Sequence, residues 1–145
     1  LTNIARDVYE DSKMDRVYLP ATWIPNISIT NLNNYLERSS DKDEKISNAI
    51  HKLINLSEKF YKNGIAGLRY IPFSSRLGIF IAANVYRGIG IKIKSRKKKY
   101  LRERVYLNLF EKFVITIKSI LIFIFIPLLN HQHQKIRNSF PYENL

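Results

Sequence analysis

An all-α fold is predicted by three features of this 145-residue sequence. Apolar residues recur at helical spacing in several long stretches, whereas the alternation typical of strands is almost absent. The five glycines and five prolines are few, which favours long uninterrupted elements. A hydrophobic content of 46% excludes a disordered chain, and the lack of cysteine excludes a disulfide framework or a zinc–thiolate site.

Short elements are predicted in the N-terminal part of the chain. Residues 1–14 should form one helix. Pro20 and Pro25 then bracket a turn-rich connector that leads to a short helical turn at Asn34–Arg38. Residues 39–44 are rich in serine and acids, which favours an N-cap loop before the next helix.

Three longer helices are predicted over residues 44–64, 74–94 and 105–125. Pro72 separates the first two of these helices, and Pro127 ends the third. The apolar stretch that ends at Leu129 is interrupted by Lys118 and Pro127, so it is shorter than the ~20 residues that span a bilayer. We therefore expect the third long helix to be buried in protein.

The formal net charge of +12 indicates an anionic partner. The basic run Lys92–Arg104 contains eight lysines and arginines. Only Tyr100 interleaves with them, so nucleic acid is not the expected partner. Anionic lipid head groups attract such runs, and this favours a cytoplasmic protein bound peripherally to a membrane.

The acids are distributed differently, because four of the twelve lie within the first fifteen residues. Asn3, Asp7 and Asp11 are spaced four residues apart, which places three oxygen-bearing side chains in one row roughly 6 Å apart on a helix. Such a row can hold Mg²⁺, which typically bridges one or two carboxylates to phosphate oxygens, and Arg6 could contact the same phosphate. The alternative is a solvated helix face with local salt bridges.

The residues around this row form a longer motif. Asn3–Asp11 reads NIARDVYED and Arg16–Pro20 reads RVYLP. This pattern resembles the second aspartate-rich motif of the squalene/phytoene synthase family. Similarity to the bacterial phytoene synthases continues to about Ser119, through residues 60–68, Pro72, Arg76, residues 85–90, residues 103–105 and Lys112.

The resemblance implies a fold and a set of site residues. The fold would be the C-terminal part of an isoprenoid-synthase helical bundle. Asn3, Asp7 and Asp11 would bind Mg²⁺, with Mn²⁺ as the alternative ion. Asp7, Asp11 and Tyr86 would be catalytic, and the diphosphate would be bound by Arg6, Arg16, Tyr18 and Arg104.

The resemblance also implies an activity. A phytoene synthase-like prenyltransferase condenses two geranylgeranyl diphosphates head to head through a cyclopropyl diphosphate in carotenoid biosynthesis. A squalene or dehydrosqualene synthase that uses farnesyl diphosphate is one alternative. A non-catalytic assembly-factor relative is another.

Two departures from the family pattern qualify these expectations. Asp15 stands where many relatives have glycine, which should affect a turn. The family's first aspartate-rich motif lies upstream of this segment, and Asp41 and Asp43 are poor substitutes. We therefore expect a C-terminal fragment, inactive alone, with a partial prenyl-synthase domain at 1–126 and a loose tail at 127–145. The histidines are assigned no metal site.

Overall fold

A computed structural model describes residues 1–25, 27, 32–37, 42–96 and 98–125. In this part of the chain the helices are α1 (Thr2–Arg6), α2 (Val8–Lys13), α3 (Leu32–Glu37), α4 (Lys42–Gly67), α5 (Phe73–Ser95) and α6 (Leu109–Phe125). Short 3₁₀ turns lie at Ala21–Trp23, Leu68–Tyr70 and Lys98–Leu101. The described ranges contain no β-strand, and the all-α prediction is confirmed. The predicted tail and Pro127 lie outside the described residues.

The predicted helix over residues 1–14 is wrong as a single element, because it is divided at Asp7 into α1 and α2. Asp7 has φ −98° and ψ 12°. Adjacent side chains do not face each other on a regular helix, and at this local departure Arg6 and Asp7 form an ion pair. The four-residue backbone repeat nevertheless continues, because Asp7 N donates to Asn3 O (2.9 Å) and Asp11 N donates to Asp7 O (2.8 Å).

The third long helix begins at Leu109 and not at Val105, so the predicted start is also wrong. Val105 and Leu107 are buried while Tyr106 between them is exposed, which is the pattern of an extended segment. A reciprocal capping box sets the true start. Asn108 N donates to Glu111 Oε2 and Glu111 N donates to Asn108 Oδ1, both at 2.7 Å.

The chain divides into two compact units. The first consists of Leu1–Leu56 and Ile89–Tyr106, and the second of Ser57–Gly88 and Leu107–Leu145. The first unit buries an apolar core that combines α1 to α3, the part of α4 up to Leu56, the end of α5 and the segment that follows it. Its most fully buried large side chains are Leu32, Leu36, Ile46, Ile50, Ile93, Leu101 and Val105. This core fixes the elements that carry most of the predicted site residues.

Aromatic contacts and an ion pair connect helices in the described part of the second unit. Phe123 of α6 lies with its ring centroid 6.1 Å from that of Phe73 and 6.0 Å from that of Phe80 on α5. Arg87 donates to both carboxylate oxygens of Glu58, at 2.9 and 2.8 Å, and so links α5 to α4.

Helix α6 is not the buried helix that its sequence predicted. Many of its large apolar side chains are exposed in the described structure: Leu109, Phe110, Phe113, Ile117, Leu121, Ile122 and Ile124. The opposite side of the helix is covered, since Ser119 is buried and Ile115 packs at Gly88. None of the described helices is both long enough and apolar enough to cross a bilayer.

Gly88 permits a close approach that a larger residue would prevent. A Cβ at this position would lie 2.7 Å from Ile115 Cδ1 and 3.1 Å from Leu107 Cδ1, whereas a Cβ at Gly78 on the same helix meets nothing within 4 Å. We expect Gly88→Ala to lower the free energy of unfolding of the intact protein by about 1–3 kcal/mol through overpacking. The matched Gly78→Ala should raise it by roughly 0.5–1 kcal/mol, because alanine is the better helix former. Urea unfolding of the two variants measures both effects, and equal stabilities would contradict the packing argument.

Asp15 has φ 53°, the left-handed conformation that favours glycine, and this confirms that its departure from the family pattern affects a turn. We expect Asp15→Gly to be about 1 kcal/mol more stable than Asp15→Ala, because a left-handed residue with a Cβ is strained. Thermal unfolding of the two variants in parallel measures the difference. An alanine variant as stable as the glycine variant would show that the strain is absent in solution.

Candidate functional site

The carboxylate of Asp7 brings together three of the predicted site residues. Arg6 Nε donates to Oδ1 at 2.7 Å and Arg6 Nη2 donates to Oδ2 at 2.6 Å. Arg104, ninety-seven positions later in the sequence, places its Nε 3.1 Å from the same Oδ1. The side chain of Arg104 is 53% exposed, so its guanidinium is accessible to a ligand.

The two guanidinium groups set the ionisation of Asp7. The hydrogen bond from Arg6 is the main cause that lowers the pKa of Asp7, and the positive charges of Arg6 and Arg104 act in the same direction. Partial burial opposes them by disfavouring the charged form. Asp7 is therefore an anion at neutral pH.

The pKa of Asp11 is shifted in the opposite direction. Burial is the first cause that raises the pKa of Asp11, and the negative charge of Asp7 is the second, while Arg16 opposes both. Asp7 and Asp11 thus repel each other one helical turn apart. A pair of like charges of this kind would be relieved by a cation.

A narrow crevice beside Asp11 gathers two further predicted residues. Its lining includes Asp11, Arg16 and Tyr18, together with Ile4, Val8, Val17, Leu19 and Leu32. The chain turns back at Asp15, so that Arg16 N donates to Asp11 O at 2.9 Å. The structure therefore places Arg16 and Tyr18 next to the acidic row.

The residues of the row are suited to Mg²⁺. Asn3 is exposed, and backbone hydrogen bonds connect it through Asp7 to Asp11. Glu10 is not among the predicted site residues, and its Oε2 atom is buried without a hydrogen-bond partner in the described structure. The described residues contain no cluster of three or more acidic or histidine side chains arranged for a metal ion. Two carboxylates and an amide nevertheless match the few protein ligands that Mg²⁺ takes when phosphate oxygens supply the others.

Tyr86 belongs to the second unit, whereas the other predicted site residues belong to the first. It lies on α5 and is 44% exposed, next to Arg87, which binds Glu58. Its catalytic role stays a prediction.

Several side chains of the basic run form contacts within the first unit. Arg102 Nη2 donates to Asp43 Oδ2 at 2.7 Å, Arg104 pairs with Asp7, and Lys94 Nζ donates to Asn55 Oδ1. Asp43 was predicted in a loop, and this is wrong, because it lies in the first turn of α4 with a side chain that is only 5% exposed. Binding to an anionic membrane surface stays a prediction, with fewer cations available than the sequence count indicates.

Comparisons with known proteins agree with the motif. Residues 1–111 match the family described as squalene/phytoene synthase. The chain is 39% identical over 95 residues to the phytoene synthase of Pseudescherichia vulneris, a match that covers 66% of this chain and 30% of that protein. It is 32% identical over 121 residues to the 15-cis-phytoene synthase of Enterobacter agglomerans, covering 82% of this chain and 39% of that protein.

These matches extend along most of the chain, which spans between 30% and 39% of the length of these two relatives. The phytoene synthase of Cereibacter sphaeroides is 32% identical over 114 residues, with 79% of this chain and 32% of the relative covered. No solved structure gives a significant match. The matched region contains Asn3, Asp7 and Asp11 with Arg6 and Arg104, and the chain belongs to the squalene/phytoene synthase family.

Proposed function

We propose that the intact protein is a prenyltransferase of the phytoene synthase type, which joins two geranylgeranyl diphosphates head to head through a cyclopropyl diphosphate. The observation that carries the proposal is the convergence of Arg6 and Arg104 on Asp7, within the aspartate-rich motif. The relatives named phytoene synthase support the same activity. The product would enter carotenoid biosynthesis.

The chemistry needs a site that stabilises a departing diphosphate. Arginine is suited to this because its planar fork can donate two hydrogen bonds to adjacent oxygens. Asp7 holds Arg6 and Arg104 side by side before substrate arrives, so little reorganisation is needed when the carbon–oxygen bond breaks. Asn3, Asp7 and Asp11 would hold Mg²⁺, which supplies further positive charge to the diphosphate when bound.

The allylic cation left behind needs surroundings that exclude water. The second unit supplies apolar side chains of the required kind. Phe110, Phe113 and Ile117 on α6 are all exposed in the described structure.

Two alternatives lead to different experimental outcomes. A squalene or dehydrosqualene synthase would convert farnesyl diphosphate in preference to geranylgeranyl diphosphate. An assembly factor would convert neither. The repulsion between Asp7 and Asp11 argues against the assembly factor, because a like-charge pair without a ligand destabilises the fold without a benefit. Product analysis of the intact protein with each diphosphate and Mg²⁺ separates the three.

We expect Asp7→Asn and Asp11→Asn in the intact protein to lower kcat by at least about a hundredfold, because each removes charge that positions the leaving diphosphate. Product formation from geranylgeranyl diphosphate at saturating Mg²⁺ measures the loss. Glu44→Gln is the control, since it removes one exposed carboxylate outside the site. Unchanged turnover in both site variants would contradict the assignment.

The same two substitutions should change stability in opposite directions when divalent cations are chelated. Asp7→Asn removes the acceptor of two guanidinium groups, and we expect it to lower the free energy of unfolding by about 1–3 kcal/mol. Asp11→Asn removes a carboxylate whose pKa is raised by burial and by Asp7, and we expect it to raise the melting temperature at neutral pH.

The pH dependence of these two stability changes follows from the directions of the pKa shifts of Asp11 and Asp7. A raised pKa means that the folded state favours protonated Asp11, so the advantage of Asp11→Asn should diminish as the pH falls through that pKa. Asp7 has a lowered pKa, so its contribution is present at neutral pH and is lost in acid. Thermal unfolding between neutral and acidic pH measures both. An Asp11→Asn variant less stable than the unaltered protein at neutral pH would show that Asp11 is not under repulsion.

A further inference from the structure

We propose that α4 carries a positioning site for Arg104, formed by Asp43, Ser47 and His51 and called here the Arg104 seat. These side chains hold the segment Tyr100–Val105 so that Arg104 lies against Asp7. The seat is a physical arrangement within the first unit. Its meaning for catalysis rests on the proposed function.

The three residues of the seat are spaced four apart, so they form one row on α4. Asp43 Oδ2 accepts a hydrogen bond from Arg102 Nη2 at 2.7 Å. The hydroxyl of Tyr100 lies 2.5 Å from Ser47 Oγ and 3.1 Å from His51 Nε2. The row therefore binds the segment at two points, on either side of Leu101.

The segment is also fixed by burial. Tyr100 is 5% exposed, and Leu101 and Val105 are each 1% exposed. The backbone on both sides of Arg104 is thus anchored in the core, while the side chain of Arg104 remains 53% exposed. Such an arrangement fixes the backbone position of Arg104 and leaves its side chain accessible to a ligand.

The ion pair of the seat is better explained by positioning than by stability. A buried carboxylate loses hydration, and the attraction of its partner roughly offsets that cost, so buried ion pairs contribute little net stability. Asp43 Oδ1 also has no hydrogen-bond partner in the described structure, which increases the cost of burial. The pair instead positions the segment that carries Arg104, because it fixes Arg102 two residues earlier.

The test measures whether the seat acts through Arg104. In the intact protein, we expect Arg104→Gln to raise KM for geranylgeranyl diphosphate by about tenfold, as the loss of one charged hydrogen bond predicts. Asp43→Asn and Tyr100→Phe should raise KM in the same direction. Asp43→Asn should add less than about twofold when Arg104→Gln is already present, because residues that act as one unit are not additive. Asp43→Glu keeps the carboxylate, so its KM should lie close to that of the unaltered protein.

Two matched controls accompany these variants. Glu44→Gln removes an exposed carboxylate from the same helical turn as Asp43, and Tyr106→Phe removes an exposed hydroxyl near Tyr100 in the sequence. Both should leave KM unchanged. Amide hydrogen exchange at residues 101–105 should be faster in Asp43→Asn than in Glu44→Gln. The two variants are compared under conditions that give them the same free energy of unfolding, so that the difference reports local opening. Slow exchange in both would overturn the seat as a physical arrangement.

The kinetic outcomes also decide the proposal. Effects of Asp43→Asn and Arg104→Gln that multiply in the double variant would show that Asp43 acts independently of Arg104, and this would overturn positioning. If the unaltered protein converts no prenyl diphosphate, the proposed function fails. Calorimetric titration with inorganic pyrophosphate then decides the seat. Weaker binding by both Asp43→Asn and Arg104→Gln supports it, whereas full binding by Asp43→Asn, or no binding by the unaltered protein, overturns it.

Discussion

Asp7 is the residue at which the first unit is organised, because its carboxylate is shared by an arginine beside it in the sequence and another ninety-seven positions away. The neighbouring pair with Arg6 lies where the backbone departs from helical geometry between α1 and α2. The distant pair ties these two helices to the segment after α5. One carboxylate thus takes part in both a local and a long-range contact.

This arrangement changes how the net charge of +12 should be interpreted. A strongly basic chain suggests a polyanionic partner, yet Arg102 and Arg104 are each paired with an acid of the same unit. Asp43 and Asp7, which the sequence places far from the basic run, supply those acids. The positive charge around Arg104 is therefore partly neutralised within the first unit, and the net charge overstates the number of cations available to a partner.

Periodicity was sufficient to predict α4 and α5 within a few residues, because both helices are long and their apolar residues recur at helical spacing. It failed at the start of α6, where Val105 and Leu107 are buried on either side of exposed Tyr106 in an extended segment, although the Asn108-x-x-Glu111 cap was readable. The row of Asn3, Asp7 and Asp11 was likewise visible. The partners of Asp7 and Asp43 were not, since sequence spacing says nothing about which distant arginine the fold brings to a carboxylate.

Two rows of polar side chains have the same four-residue spacing: one is Asn3, Asp7 and Asp11, and the other is Asp43, Ser47 and His51. The row on α1 and α2 presents carboxylates, and the row on α4 presents the groups that hold the segment carrying Arg104. Arg104 uses Nε toward Asp7 in the described structure, so its Nη groups are the donors that an incoming phosphate oxygen would meet. Lysine could bind both only if Asp7 and the ligand lay around its single nitrogen, whereas the donors of a guanidinium are spread over three nitrogens. A guanidinium can bind both at once, provided that its backbone is fixed, and this is why the anchoring by α4 matters for the chemistry.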